Sequence, residues 1–437
     1  MSLSNRISQV LRQHALHIRN VVYFLGTRAF AIVAFILVVP FFIRHASEQQ
    51  YGLAAIGFSL LGIATVLDVA FGYVLIQSQG RRFARGRVLA ADSIHGLFGF
   101  YLLLACATAA GGILLVLALR LPSAEALLYA CLAALLPALS ISGVVAAVFQ
   151  AQNQLKPINL SRFGFELAKA LALALSAVLA RDIRLIGPVL LIAAYGRAVL
   201  DMRYLACKTG IKLRFPGFSL IRRYWRLARH GIASLYIVAL TALVTIGDKI
   251  LIKHFFSTDA VAHYSVAYDI NTKAYLLVNA VNTAMFAVAL HRFAKKNSTF
   301  APLAAGLVTV SIVAILYYLP LFALAPVVLN YWVSADFAAG TVQFTRIMVF
   351  ASLMYLYGNV FENALTAMGR ARQVLRVYVV GIVAYGIGVG LTIWQQAIVG
   401  FMYSYLALCS MLCLGFIWQY RLAVRPAILS GVRHGCA

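Results

Sequence analysis

Twelve separate runs of this chain are each long and apolar enough to cross a bilayer, and that removes most folds from consideration. They lie at about 20–43, 51–77, 93–118, 122–149, 160–180, 185–206, 231–255, 260–290, 302–328, 338–366, 375–394 and 397–420. A hydrocarbon core of about 30 Å needs about 20 helical residues to span it. Lipid offers no partner to a free backbone N–H or C=O, so runs of this kind form helices. Composition agrees. The chain is 63% hydrophobic and 11% charged, with a mean hydropathy of +0.89, whereas a soluble domain carries about 25% charged residues. The longest polar stretch, from Lys208 to about His230, is too small to fold alone, which excludes an extramembrane catalytic domain. The expected class is an all-α integral membrane protein.

A net charge of +25 would suggest nucleic acid in a soluble protein. Here topology absorbs it, and no nucleic-acid partner is called for. With the N-terminus in the cytoplasm, the cytoplasmic segments hold two to eight cations each, among them Arg81, Arg82, Arg85 and Arg87 after the second span. The loops on the other face hold at most two each: Arg44, Arg120, Arg181, Arg184, Lys249 and Lys253. Cytoplasmic loops are enriched in Lys and Arg, and a miscounted span would scramble the alternation. Twelve spans with both termini cytoplasmic follow. The first nineteen residues are polar and basic and lead into a full span, so no cleavable signal peptide is expected.

The basic stretch divides the spans into six and six, giving lobes at 1–207 and 231–437 joined by a linker at 208–230. Within it, Phe218, Ile221, Tyr224, Trp225 and Ala228 recur at helical spacing opposite Arg222, Arg223, Arg226 and Arg229. That pattern predicts an amphipathic helix from Phe215 to Arg229 on the anionic inner leaflet. It is either a hinge between lobes or a linker that only holds topology. An internal repeat supports two halves: Ile43-Arg44-His45 precedes Tyr51, as Ile252-Lys253-His254 precedes Tyr264. Six spans per half keep orientation, so the lobes would be related by a pseudo-twofold along the membrane normal.

After the loop charges, five cations remain inside spans: Arg28, Lys169, Arg197, Lys273 and Arg346. Asp68, Glu166, Asp201, Asp248, Asp269 and Glu362 lie in or near spans as well. One charge at mid-bilayer costs about 2.5–3.5 kcal/mol even on the mildest scale. These side chains must therefore face protein or water, which implies a polar or wet interior. Glu166–Lys169 and Arg197–Asp201 have the i+3 and i+4 spacing of local neutralising pairs. Depth along the helices would let Arg28 meet Asp68. Arg28, Lys273 and Arg346, with Lys169, are the candidate substrate-binding cations. Asp68, Asp248 and Asp269 are candidates for proton coupling or gating, with a plain salt bridge as the open alternative.

Other features are blander. Cys409 and Cys413 share a helix face as small buried hydrophobes, and no Cys/His spacing fits a metal. Gly386 and Gly390 form a GxxxG that predicts a close helix contact. Pro40, Pro137, Pro188, Pro320 and Pro326 fall within or at the ends of spans, where they can kink a helix. No HExxH, GxSxG, Walker A loop or dinucleotide fingerprint occurs. Neither enzyme activity nor a metal or cofactor is expected, and uphill transport would need an ion gradient or product consumption.

Tyr51-Gly-Leu-Ala-Ala followed by Leu67-Asp68-Val-Ala-Phe-Gly-Tyr73 resembles the second span of polysaccharide-export flippases of the Wzx type, whose pattern reads YGxxA…LDxGxG. Gly247-Asp248-Lys249 through Tyr264-Ser-Val-Ala-Tyr268 resembles the start of their second half, and Ala151-Gln-Asn-Gln-Leu-Lys-Pro157 their fourth-to-fifth loop. The chain departs at Gly247, where an apolar residue is common, and at Ala70, where the pattern has its first glycine. The resemblance implies the fold of the multidrug/oligosaccharidyl-lipid/polysaccharide (MOP) exporter superfamily: two six-helix lobes facing each other across a central cavity. It also implies a polyprenyl-diphosphate-linked oligosaccharide as substrate, moved across a bacterial inner membrane for O-antigen or lipopolysaccharide synthesis. A polysaccharide polymerase and a chain-length regulator would be the companions. The residue reading agrees, since an anionic diphosphate wants a cationic, hydrated cavity. The rival readings are an ion-coupled multidrug antiporter on the same fold, which would favour an acidic cavity, and a lipid II flippase, which would need more spans. A membrane-embedded glycan polymerase would show a long outer loop, and a structural membrane subunit also stays open.

Overall fold

Each apolar run becomes a helix because the backbone must satisfy itself where no water reaches. The computed structural model describes residues 26, 29–62, 91–152, 154–217, 219–222, 232–294, 300–368 and 370–433. Among them the regular structure is entirely helical. The spans are α1 (Ala29–His45), α2 (48–62), α3 (Ala91–Ala118), α4 (Ser123–Ala151), α5 (Leu155–Leu175, extended by a π turn, Ser176–Ala180) and α6 (Ile186–Thr209). They continue with α7 (Ile232–Phe255), α8 (Thr258–Ala294) and α9, made of Phe300–Val313, a π turn at Ala314–Tyr318 and Leu319–Trp332. Last come α10 (Ala335–Ala367), α11 (Ala371–Trp394) and α12 (Val399–Arg433). Every run read from the sequence has its helix, although the second is described only to residue 62.

The chain divides into two compact units, Met1–Ala242 and Leu243–Ala437. Each opens on a helix, a two-residue turn and a second helix. Ser47 Oγ accepts from Gln50 N–H at 3.2 Å, and Ser257 Oγ accepts from Ala260 N–H at 3.1 Å. A side-chain acceptor at the helix start satisfies a donor that the helix itself leaves open.

In the first unit α4 is the central helix: 72% of its most apolar window is buried, against 17% in α3. Its path breaks at Leu135, between Ser123–Ala134 and Leu136–Ala151. Pro137 has no N–H to continue the ladder, which accounts for the break. Leu114, Leu115 and Leu117 stay exposed on α3, the surface expected of a helix against lipid.

The surface helix expected from Phe215 starts later than the pattern placed it. Residues 211–217 are not helical, and a helical turn is described only at 219–222. Pro216 explains the delay, since proline excludes the helical conformation at the residue before it. The segment docks on the first unit: His95 Nε2 lies 3.0 Å from Lys212 O, Ile211 and Leu213 pack on the core around Phe98 and Phe149, and Pro216 and Ile221 sit over Gly99. The basic stretch 223–230 lies outside the described residues.

In the second unit α10 is the hub, packed against α8, α9, α11 and α12. A Cβ on Gly358 would lie 3.0 Å from the Cα of Cys413, so glycine lets α10 and α12 cross backbone to backbone. Cys409 and Cys413 are buried free thiols at this crossing. Gly386 and Gly390 do not make the close contact that their motif predicts. Both are exposed, and among the described residues a Cβ on either meets nothing within 4 Å. On α11 it is Gly381 and Gly388, two turns apart, that face Leu408 and Ser404 of α12. Gly358→Ala is expected to lower thermal stability by about 1–3 kcal/mol through overpacking, seen as a lower unfolding midpoint in detergent. Gly386→Ala should leave the midpoint unchanged or raise it.

Candidate functional site: charges held inside the helices

Asp248 and Lys249 lie seven and six residues before the end of α7 and are 1% and 3% exposed. Treating Lys249 as a loop cation is therefore incorrect: the helix runs on to Phe255 and carries it inside. The Asp248 carboxylate is held by two phenols from other helices. Tyr264 Oη on α8 donates to Oδ2 at 2.6 Å, and Tyr385 Oη on α11 donates to Oδ1. One acid thus ties three helices. A buried carboxylate is tolerable only when its lone pairs are taken, and two phenol hydroxyls take them without adding charge.

Lys249 points elsewhere, because neighbours in a helix diverge by about 100°. Its Nζ is 5.8 Å from the centre of the Tyr268 ring, and it interacts electrostatically with Asp269, Lys273 and Asp248. Two acids and two cations therefore share α7 and α8. Tyr268 stacks on Tyr264 at 6.2 Å and meets Tyr405 edge-on at 6.0 Å, giving the cluster an aromatic wall. Below it, Asn271 is fully buried and donates to Ala267 O and Thr345 O, while Tyr317 and Tyr318 donate to Ile270 O and Asn271 O.

Asp269 and Lys273 are half-buried, four residues apart on α8. Arg346 is placed differently. It lies eleven residues into α10, about 16 Å from the helix start. Its Nε donates to Phe322 O at 3.3 Å and its guanidinium lies 5.5 Å from the Phe322 ring. Among the described residues no carboxylate comes within ion-pair distance of it. Glu362, near the other end of α10, is the converse: its partners are neutral, Tyr378 Oη at 3.0 Å and Asn359 Nδ2 at 3.4 Å.

In the first unit the two spaced pairs form. Lys169 Nζ is 2.6 Å from Glu166 Oε2, and Arg197 Nε is 3.5 Å from Asp201 Oδ2. Lys169 is thus neutralised by its own helix. Arg28 and Asp68, and their suggested pairing, lie outside the described residues. Among the described residues no group of three or more His, Cys, Asp or Glu could hold a metal.

These features describe a helical, multi-span membrane protein with charge buried in its interior. No protein-family model matches the sequence, and no curated protein matches it. Solved structures do match in fold. An inward-facing multidrug resistance transporter of the MATE family, MOP superfamily, superposes with a TM-score of 0.73 at 11% identity, over 95% of this chain and 100% of its own. The lipid II flippase MurJ, in an inward closed conformation, gives 0.67 at 11% identity over 93% of this chain and 87% of its own. A MOP-superfamily transporter from Pyrococcus furiosus Vc1, whose reversed pocket polarity suggests a different function, gives 0.59 at 11% over 93% and 94%. The chain has the all-helical, multi-span fold of the MOP-superfamily transporters, and the proteins it resembles are transporters and flippases.

Sequence reasoning placed Asp248 and Tyr264 in one motif and missed Tyr385, which lies 137 residues from its partner. Tyr264→Phe and Tyr385→Phe should each destabilise the protein by about 1–3 kcal/mol, the cost of leaving a buried acceptor short of a donor. In an Asp248→Ala background the same changes should cost nothing or restore stability, which thermal unfolding of the purified variants will show.

Proposed function

We propose that the protein is a flippase that moves a polyprenyl-diphosphate-linked oligosaccharide across a bacterial inner membrane, of the Wzx type that its motifs resemble. The observation that carries the reading is Arg346: a cation at mid-span on the hub of the second unit, answered by a carbonyl and a ring but by no acid among the described residues. A standing positive charge at that depth is costly unless something anionic visits it. A diphosphate headgroup is such a visitor, and a guanidinium binds phosphate oxygens through paired N–H donors. The fold supports the reading, since it is shared with a lipid II flippase. Lys273 and Arg28 are proposed to serve the same headgroup, with Lys169 behind them, tempered by Glu166.

Lobes at 1–207 and 231–437, joined by the basic linker 208–230, would expose the site to each face in turn, with both termini in the cytoplasm. The glycan would cross inside the protein while the lipid tail stays in the bilayer. Asp248, Asp269 and Asp68 are proposed as coupling or gating acids. In that role Asp248 would release the phenols of Tyr264 and Tyr385 when protonated or displaced. A polymerase and a chain-length regulator would consume the product.

Reconstituted vesicles loaded with a fluorescent polyprenyl-diphosphate oligosaccharide test the proposal. Arg346→Gln and Lys273→Gln should each cut the flipping rate at least tenfold with unchanged insertion, and Arg346→Lys should retain part of it. Unchanged flipping in Arg346→Gln would remove that residue from the site. Export of a cationic drug without movement of the lipid would make the protein an antiporter instead.

A further inference from the structure

Within the first unit, α4, α5 and α6 line an open cavity of about 680 Å³, a size suited to a small amphipathic ligand. Its polar lining is Ser142, Lys156, Ser161, Arg197, Asp201 and Tyr204, and Phe149, Leu160 and Leu200 contribute apolar wall. The polar groups are ordered in one direction. Arg197 Nε donates to Ser161 Oγ at 2.8 Å, Ser161 Oγ donates to Asp201 Oδ2 at 3.0 Å, and the Phe165 ring sits 5.5 Å from the guanidinium carbon. All of these contacts use the Nε edge or the face of Arg197. Its two terminal amino groups take no hydrogen bond among the described residues, although the side chain is only 16% exposed.

Two glycines open the space. Gly164 on α5 and Gly196 on α6 both line the cavity, and a Cβ on either would meet nothing within 4 Å. Glycines in membrane helices commonly bring two backbones together; these two hold a gap instead. Near the helix ends, Lys156 lies in the first turn of α5 and Lys208 has its ammonium 6.0 Å from the Tyr204 ring. Within the lining, Arg197 and Lys156 stand against the single acid Asp201. Leu160 and Leu200, 68% and 65% exposed, carry an apolar surface out from it.

We infer that this cavity binds a phosphate carried on an apolar chain. The phosphate takes the terminal amino groups of Arg197 in charge-assisted bonds, with Ser161 and Asp201 as positioning residues. The chain lies along Phe149, Leu160 and Leu200. A membrane glycerophospholipid and an isoprenyl phosphate share that chemistry. The assignment does not rest on the flippase reading.

Native mass spectrometry of the full chain in detergent tests it, with dioctanoyl phosphatidylglycerol, geranylgeranyl phosphate, geranylgeraniol and inorganic phosphate as probes. Wild type should hold one of the two lipid phosphates, the preferred one naming the source, and should hold geranylgeraniol and inorganic phosphate at least tenfold more weakly. Gly196→Leu, which fills the cavity and leaves Arg197 paired, should lose the lipid at least tenfold. So should Arg197→Gln combined with Asp201→Asn, which avoids stranding a buried carboxylate. Equal occupancy in wild type and Gly196→Leu would overturn the inference, as would equal binding of geranylgeraniol or of inorganic phosphate alone.

Discussion

An ion that leaves water for the inside of a helix bundle must be answered there, by opposite charge or by oriented dipoles, and the second unit is arranged around that demand. Asp248 is answered by hydroxyls from α8 and α11. Because the answer comes from two neighbouring helices, the carboxylate fixes their register on α7 as well as its own solvation. Lys249 is answered by ring faces and by the charges of α8. The tyrosines serve both needs, since a phenol supplies a hydrogen-bond donor at one end and an apolar body along its length. Helices this apolar otherwise have little to distinguish one packing from another, because lipid is as apolar as leucine.

Arg346 stands apart from that arrangement. A carbonyl and an aromatic face are enough to hold a guanidinium in place but leave its full charge standing. Lys169 and Arg197, by contrast, are answered by acids on their own helices at i+3 and i+4. A local acid lowers the cost of inserting each of those helices, whereas Arg346 keeps its full charge at mid-span.

The helices were legible because span length and apolarity act locally, one run at a time. The local pairs Glu166–Lys169 and Arg197–Asp201 were legible for the same reason. Lys249 was misplaced because counting charge by loop assigns it to the outer loop although its span runs to 255, and a charge six residues inside a helix end lies within the protein. The glycine motif failed on phase: Gly386 and Gly390 share one face, but Gly381 and Gly388 share the face that meets α12, and spacing alone cannot say which face has a neighbour. The later helix start after Pro216 shows a local rule shifting the boundary that an amphipathic pattern set. Tyr385 was invisible because nothing near it in the sequence reports an acid 137 residues earlier.

The π turn at Ala314–Tyr318 lies just before Pro320, whose ring would clash with the carbonyl of residue 316 in a regular helix. Such a turn widens the ring of one hydrogen bond by a residue, so everything beyond it is rotated by about 100° from the phase set by the first half. Within the turn, the adjacent Tyr317 and Tyr318 donate to the consecutive carbonyls of Ile270 and Asn271. Span α9 is thus two half-helices out of step, and the tyrosine pair at their junction ties it to α8.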